Sequence, residues 1–126
     1  MAANSLMRNQ QALQSAGVPI KSTTAAAYSK VLSTIPCLFL SAYCVANASV
    51  AGWLLVYDLA AAPTDGAGQT PIVVVPVAAG SPIWTNPVFF GHPCQVGCTI
   101  VFSTTGPYTQ TTTGGAAQFL SGQIAL

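Results

Sequence analysis

Charged side chains are the scarcest component of this chain. They make up 4% of its 126 residues, whereas globular proteins usually contain about 25%. A monomer with so few charges has little to keep it in solution, because a protein surface normally carries about 25–35% charged residues. Two interpretations follow: either other subunits cover much of the surface, or part of the chain lies in lipid.

The few charges are unevenly distributed along the chain. The basic residues Arg8, Lys21 and Lys30 all lie within the first 30 residues, and the only acidic residues are Asp58 and Asp65. Three separated basic residues are too few for a nucleic-acid-binding patch, so we predict no nucleic-acid partner. They suit an N-terminal arm that lies on an acidic neighbouring protein, and a solvated tail explains them equally well.

Residues that could perform catalysis are also scarce. His92 is the only histidine, and a histidine that acts as a general base needs a carboxylate to orient it and a nucleophile within reach. Only Asp58 and Asp65 could orient it, and Asp65 lies in an Asp-Gly turn signature. No glycine-rich segment has the lysine and the following helix of a phosphate site. We therefore predict that the protein is not an enzyme and binds no cofactor or small-molecule substrate.

Four cysteines are the one group with potential for covalent or metal chemistry. Cys94 and Cys98 are four positions apart, and Cys37 and Cys44 are seven apart, a spacing that places the second pair on opposite faces of one strand. These spacings match no zinc site with four tetrahedral ligands, so no metal is predicted. The alternatives are a disulfide, either Cys94–Cys98 or one of these two to Cys37 or Cys44, and four buried free thiols.

One long stretch without charge has to be considered as a membrane span. Residues 31–57 contain no charged residue, and about 20 mostly apolar residues can cross a bilayer. Ser41 and Asn47 interrupt the stretch, and Pro36 lies near its start. A small single-span membrane protein therefore remains an alternative. Residues 1–19 lack the continuous apolar segment of a secretory signal.

Turn-forming residues divide most of the chain into short β-strands. The sequence contains 9 prolines and 11 glycines, and turn clusters recur at intervals of roughly ten residues. This spacing predicts an antiparallel β-sandwich or jelly-roll-like barrel of about seven or eight strands over residues 35–126. Pro76 interrupts the apolar run Val73–Val77, which predicts an edge strand or a bulge because proline donates no ladder hydrogen bond.

The N-terminal part differs from the remainder in composition. Residues 1–18 can form one short helix, and a helix of about 12 residues is marginal alone in water. Residues 19–34 are rich in alanine, serine and threonine. We predict an extended or short-helical N-terminal arm and connector over residues 1–34, followed by one sandwich domain over residues 35–126.

The strand predicted at residues 99–103 has no charged face. Ile100 and Phe102 are expected on one face, and Thr99, Val101 and Ser103 on the other. A strand without a charged face is expected to be covered on both sides. In a sandwich this small, we expect another chain to supply the second cover.

Several segments of the chain resemble small structural proteins of tailed-bacteriophage particles. They are Leu-Val-Tyr-Asp with Ala-Pro and Asp-Gly close behind, then Pro-Val, then Val-Phe-Ser-Thr-Thr-Gly with a threonine-rich continuation, and Phe-Leu-Ser-Gly. The resemblance spans roughly residues 50–122 and carries no catalytic residue. It implies a β-sandwich subunit of a virion, either a capsid decoration (cement) protein or a neck or tail component.

We therefore expect a structural virion protein that stabilises a phage particle through subunit interfaces, in the first place as a capsid decoration protein. A neck, tail or receptor-binding component is the alternative within the same particle. The expected partners are the major capsid protein or other virion proteins and further copies of this chain, with a trimer favoured. The expected location is the virion, assembled in the bacterial cytoplasm. The residues expected at interfaces are Arg8, Lys21, Lys30, Trp84, Phe89 and Tyr108.

Overall fold

The structure is a computed structural model, and it describes residues 20–23, 27–46, 49–66, 68–85, 91–105, 111 and 119–126. Within these ranges the chain forms nine β-strands and no helix. The strands are β1 Ile20–Ser22, β2 Ser29–Ser33, β3 Cys37–Val45, β4 Gly52–Tyr57, β5 Val73–Val77, β6 Pro82–Thr85, β7 His92–Cys94, β8 Cys98–Ser103 and β9 Phe119–Ala125. Most of residues 31–57 thus lie in β2, β3 and β4, and the described ranges contain no helix with the length and hydropathy of a membrane span.

The strands form two antiparallel sheets that together make a β-sandwich. Sheet 1 has the order β1-β9-β3-β6, with β7 also paired to β3, and sheet 2 has the order β2-β8-β4-β5. Every pairing is antiparallel. The predicted all-β class and antiparallel sandwich are therefore confirmed.

The main core lies between the two sheets and draws on both. Alternate residues of each central strand point into it, as the period of two along a strand requires. Burying one large apolar side chain contributes about 1.5–3 kcal/mol, so this layer is the principal source of stability. Its fully buried large side chains are Leu32, Phe39, Leu54, Val56, Ile100, Phe102 and Leu120.

Sheet 2 is also covered on its outer face. Leu55, Tyr57 and Val101 form a second buried cluster there, with exposed fractions of 0%, 1% and 0%. We call these three residues the covered face. All six residues of β8 are buried in the single chain. The predicted cover on both sides of this strand is confirmed, but the prediction that another chain supplies the second cover is wrong, because the chain itself buries Val101.

Sheet 1 presents a different outer face. Its outward residues on β3 and β9 carry no charge and are partly or largely exposed, and Phe119 keeps 43% of its surface exposed. They alternate with residues of the main core. We call this set the open face. It consists of Leu38, Leu40, Tyr43, Val45, Phe119, Ser121 and Gln123.

A β-bulge in β3 changes which residues face the core. The register between β3 and β9 shifts between Phe39 and Ser41. One additional residue in a strand reverses the alternation of its side chains beyond that point. Cys37 and Cys44 therefore both belong to the main core. The prediction that they lie on opposite faces of the strand is wrong for this reason.

Two strands come from the region expected to be a connector. β1 pairs with β9, and β2 pairs with β8. Thr23, just after β1, donates its backbone N–H to the Leu120 carbonyl over 2.9 Å. The sandwich therefore begins before residue 35. Of the arm and connector predicted over residues 1–34, residues 1–19 and 24–26 lie outside the described residues.

The prolines fall where a sheet tolerates them. Pro76 lies in β5, which pairs with β4 and is the last strand of sheet 2. A proline there leaves the ladder intact if its nitrogen faces away from the partner strand. The predicted edge strand at Pro76 is confirmed.

Candidate functional site

Ionisable side chains converge at one end of the sandwich. Two short links run side by side there, residues 34–36 between β2 and β3 and residues 95–97 between β7 and β8. The register pairs on either side, Ser33 with Cys98 and Cys37 with Cys94, hold the links next to each other. We call these two links and the residues that flank them the corner.

Asp58 anchors the corner from the end of β4. Its carboxylate accepts hydrogen bonds from the backbone N–H groups of Gln95 and Val96, both over 2.9 Å, and of Gly97 over 3.3 Å. The hydrogen bond from Gln95 holds the pKa of Asp58 below its ordinary value, with help from Val96, Gly97 and the nearby His92, whereas partial burial acts in the opposite direction. A carboxylate that accepts three backbone N–H bonds is stabilised in its charged form. Asp58 is therefore a structural anchor in this arrangement.

The link at residues 95–97 fits closely against its surroundings. A Cβ atom on Gly97 would lie 2.6 Å from the Ser33 carbonyl oxygen and 2.9 Å from the Ala60 Cα atom. Thr99, just beyond, donates its Oγ1 hydrogen to the Leu59 carbonyl over 3.0 Å. Only glycine fits at position 97 without a backbone shift, because a Cβ there would meet backbone atoms of two neighbouring segments.

Three thiols line the inner side of the corner. Cys37, Cys94 and Cys98 are buried, with exposed fractions of 8%, 3% and 0%, and the Cys94 thiol donates to the His92 carbonyl over 3.8 Å. Burial raises the pKa of Cys94 to about 11, and burial together with the neighbouring thiols raises the pKa of Cys98. Cys94 and Cys98 are therefore mostly protonated at neutral pH, which lowers their reactivity as nucleophiles.

The structure contains all four cysteines as free thiols. All four are buried, and the disulfide considered between Cys94 and Cys98 stays a prediction. Within the described part of the chain, no group of three His, Cys, Asp or Glu side chains has a geometry that could hold a metal ion.

Two apolar side chains project from the corner. Ile35 and Val96 each keep 53% of their surface exposed. The Ser33 hydroxyl donates to the Ile35 carbonyl over 2.8 Å and accepts from the Ile35 N–H over 3.2 Å. The Asp58 carboxylate accepts a hydrogen bond from the Val96 N–H. Both side chains are thus presented on links with a fixed backbone.

An open depression lies at the opposite end of sheet 2. It has a volume of about 590 Å³, and its walls come from the start of β4, the end of β5 and the segment after β8. The register places Trp53 directly opposite Pro76. The walls of the depression carry no ionisable side chain. The depression can therefore accept an apolar group but supplies no acid, base or nucleophile. The lining residues are Ala51, Gly52, Trp53, Pro76, Val77, Ala78 and Thr104.

The structure describes three of the six predicted interface residues in part or in full. Lys21, on β1, donates its Nζ hydrogen to the Leu32 carbonyl of β2 over 2.8 Å, so it links the edges of the two sheets within one chain. Lys30 lies half-buried on β2. The backbone of Trp84 lies in β6 opposite Tyr43, but its side chain is outside the described structure. Arg8, Phe89 and Tyr108 lie outside the described residues.

The contacts that bring the corner residues together are not indicated by any local sequence pattern. Asp58 contacts residues 37 to 39 positions further along the chain, and no local pattern indicates such a contact. Cys37 was considered only as one of several partners for a disulfide. A signal for Val96 was present, since an apolar residue between glutamine and glycine in a tight link is expected to be exposed.

The chain matches no protein-family model, and comparisons with curated proteins and with solved structures find no similar protein.

Proposed function

We propose that this protein is a structural subunit of a bacteriophage particle that binds neighbouring subunits as a capsid decoration protein. The observation that carries the proposal is the strand order. With β7 set aside, the first strand pairs with the last, and the pairing continues inwards as β1–β9, β2–β8, β3–β6 and β4–β5. This nested pairing over two four-stranded sheets supports a jelly roll, an architecture common among viral capsid proteins.

A jelly roll alone does not assign a function, because lectins and cupins share it. The surface charge supports an assembly role in addition. The chain exposes 6719 Å² and has five charged residues, about one for every 1,300 Å². A standard interface takes about 800 Å² from each partner and excludes charge from its centre. Patches of interface size without charge are therefore abundant on this protein.

The open face of sheet 1 is the surface that we assign to the neighbouring subunit. It combines the aromatic residues Tyr43 and Phe119 with Leu38 and Val45, and it carries no charge. Interface centres are enriched in aromatic residues and depleted of charged ones. A partner on this face would give sheet 1 the second cover that sheet 2 already has within the chain. The N-terminal arm of residues 1–19 is proposed as a further contact that reaches an additional subunit.

A reconstitution experiment tests this function. Particles assembled without the chain are mixed with the purified protein and imaged by electron microscopy. We expect preformed shells to bind the protein at symmetry-related outer positions and to withstand a higher temperature before they open. Particles that never close without the chain would instead indicate a shell-building role, and shells that bind none of it would contradict the proposal. The same assay on a chain that lacks residues 1–19 tests the arm, for which weaker binding is expected.

A further inference from the structure

The register at the corner brings two cysteines face to face. Cys37 of β3 and Cys94 of β7 are direct partners in an antiparallel pair. Such partners have Cα atoms about 4.5 or 5.5 Å apart, and disulfides usually join Cα atoms about 4.4–6.8 Å apart. Both side chains point into the main core. Cys94 and Cys98, in contrast, lie on opposite sides of a link that passes from one sheet to the other.

We infer that Cys37 and Cys94 are an oxidation site, at which a disulfide joins β3 to β7. The oxidant is a small-molecule disulfide such as oxidised glutathione. One cysteine thiolate attacks it and releases one small thiol, and the second cysteine then attacks the mixed disulfide and releases the other. Each cysteine loses its proton, the oxidant gains two electrons, and one protein S–S bond replaces the small-molecule one.

The Cys37–Cys94 disulfide would have the same structural consequence whichever oxidant forms it. β7 is three residues long and pairs with β3 in sheet 1, so it has few ladder hydrogen bonds of its own. A Cys37–Cys94 bond fixes it covalently and closes a loop of about 57 residues, which restricts the unfolded chain. The suggested occasion for oxidation rests on the proposed function: a virion subunit is made in a reducing cytosol and later leaves it.

Cys98 is the third thiol at this site, and its competition with Cys37 determines which of the two pairs with Cys94. Besides burial, the nearby Cys94 raises the pKa of the Cys98 thiol, so Cys98 is near enough to compete with Cys37 for the mixed disulfide. Cys98 is fully buried, whereas Cys37 keeps 8% of its surface exposed. The small oxidant therefore reaches Cys37 more readily, and the register favours its closure onto Cys94.

The test compares four folded proteins, each isolated from any particle: wild type and three variants with a single cysteine substitution. Wild type, Cys37→Ala, Cys98→Ala and Cys44→Ala are incubated with oxidised glutathione, alkylated, digested and analysed by mass spectrometry. Cys44 is the matched control, because it is fully buried on the same strand but has Leu120 and Ile83 as its register partners. In wild type we expect two of the four thiols to be lost on oxidation. The Cys37–Cys94 link should form in wild type, Cys98→Ala and Cys44→Ala, and it should be absent from Cys37→Ala.

The oxidised wild type is also expected to melt about 10 °C higher than the reduced form. A Cys94–Cys98 link in wild type would overturn the inference, and so would four remaining thiols after prolonged oxidation of the folded chain. Since no particle takes part in these measurements, their failure leaves the proposed virion function standing, and failure of particle binding leaves the oxidation site standing.

Discussion

The two outer faces of the sandwich are built from the same kinds of residue but differ in what covers them. The covered face of sheet 2 is buried within the chain, with Trp53, Leu59 and Val74 packed beside it. The open face of sheet 1 is equally free of charge yet partly exposed, and Phe119 retains 43% of its surface. The absence of charge on a face therefore does not by itself indicate whether the chain buries that face.

The strongest test of this comparison places the same charge on each face. Val101→Asp buries a carboxylate in the covered face and should cost about 4 kcal/mol or more of the free energy of unfolding, because a buried charge without a partner is expensive. Val45→Asp, on the open face, should cost about 1 kcal/mol or less because the carboxylate stays partly hydrated. Urea unfolding followed by circular dichroism measures both.

The second half of this test concerns assembly. Val45→Asp should remain folded but bind particles at least about tenfold more weakly, since a charge at the centre of an interface costs about 1.4 kcal/mol or more. If Val45→Asp binds like wild type, the open face is not the contact surface. If Val101→Asp and Val45→Asp lose equal stability, the chain does not bury the covered face better than the open face.

A smaller effect is expected where the two sheets join at the corner. Asp58→Asn keeps the shape of the side chain but removes the charge that accepts three backbone hydrogen bonds, and it should cost about 1–3 kcal/mol. Asp65→Asn removes the same charge from an exposed loop position and serves as the control, with a change of about 0.5 kcal/mol or less. Equal losses in the two variants would show that the hydrogen bonds of Asp58 do not hold the corner.

The pH dependence of Asp58 gives an independent measurement. Its pKa in the folded protein lies below the ordinary value of 3.8. Asp58 therefore contributes stability above that ordinary value, and the contribution is lost as the pH falls through the lower folded-state pKa. Between about pH 5 and pH 2, wild type should lose more stability than Asp58→Asn. Parallel losses in denaturant midpoints across this range would contradict the assignment.

The smallest effect is expected at the edge where β1 and β2 meet. Lys21→Met keeps the apolar stem but removes the donor to the Leu32 carbonyl, and it should cost about 0.5–1.5 kcal/mol. Lys30→Met is the matched control, since it removes the same charge from a half-buried position on β2. Thermal melts that shift by the same amount in both variants would indicate that only the charge, and not the bond between the two edges, contributes to stability.

Local patterns were sufficient for much of the fold. Turn spacing predicted the antiparallel sandwich, alternation placed Ile100 and Phe102 opposite Val101, and the lack of an N–H on Pro76 placed β5 at an edge. Each of these depends on neighbouring residues only. The bulge between Phe39 and Ser41 could not be predicted in this way, because it depends on the register with β9.

The candidate site was less accessible to sequence reasoning than the fold. Two contacts join segments that are far apart in the chain. One is the pairing of Cys37 with Cys94, and the other is the set of hydrogen bonds from the backbone of residues 95–97 to Asp58. Their geometry is set by the order of the strands in the two sheets, and no spacing in the sequence encodes that order. β1 and β2 were assigned to a connector because edge strands of three and five residues carry little alternation.

The pairing of β1 with β9 also sets the time at which this domain can be completed during synthesis. About 100 residues separate the two strands, and at about 5–20 residues per second the ribosome needs roughly 5–20 s to make them. Until then Ile20–Ser22 has no partner strand, and sheet 1 cannot close at that side. A three-residue strand that contains a lysine is a poor template for aggregation during this interval, so the earliest strand that the structure describes is suited to being the last to pair.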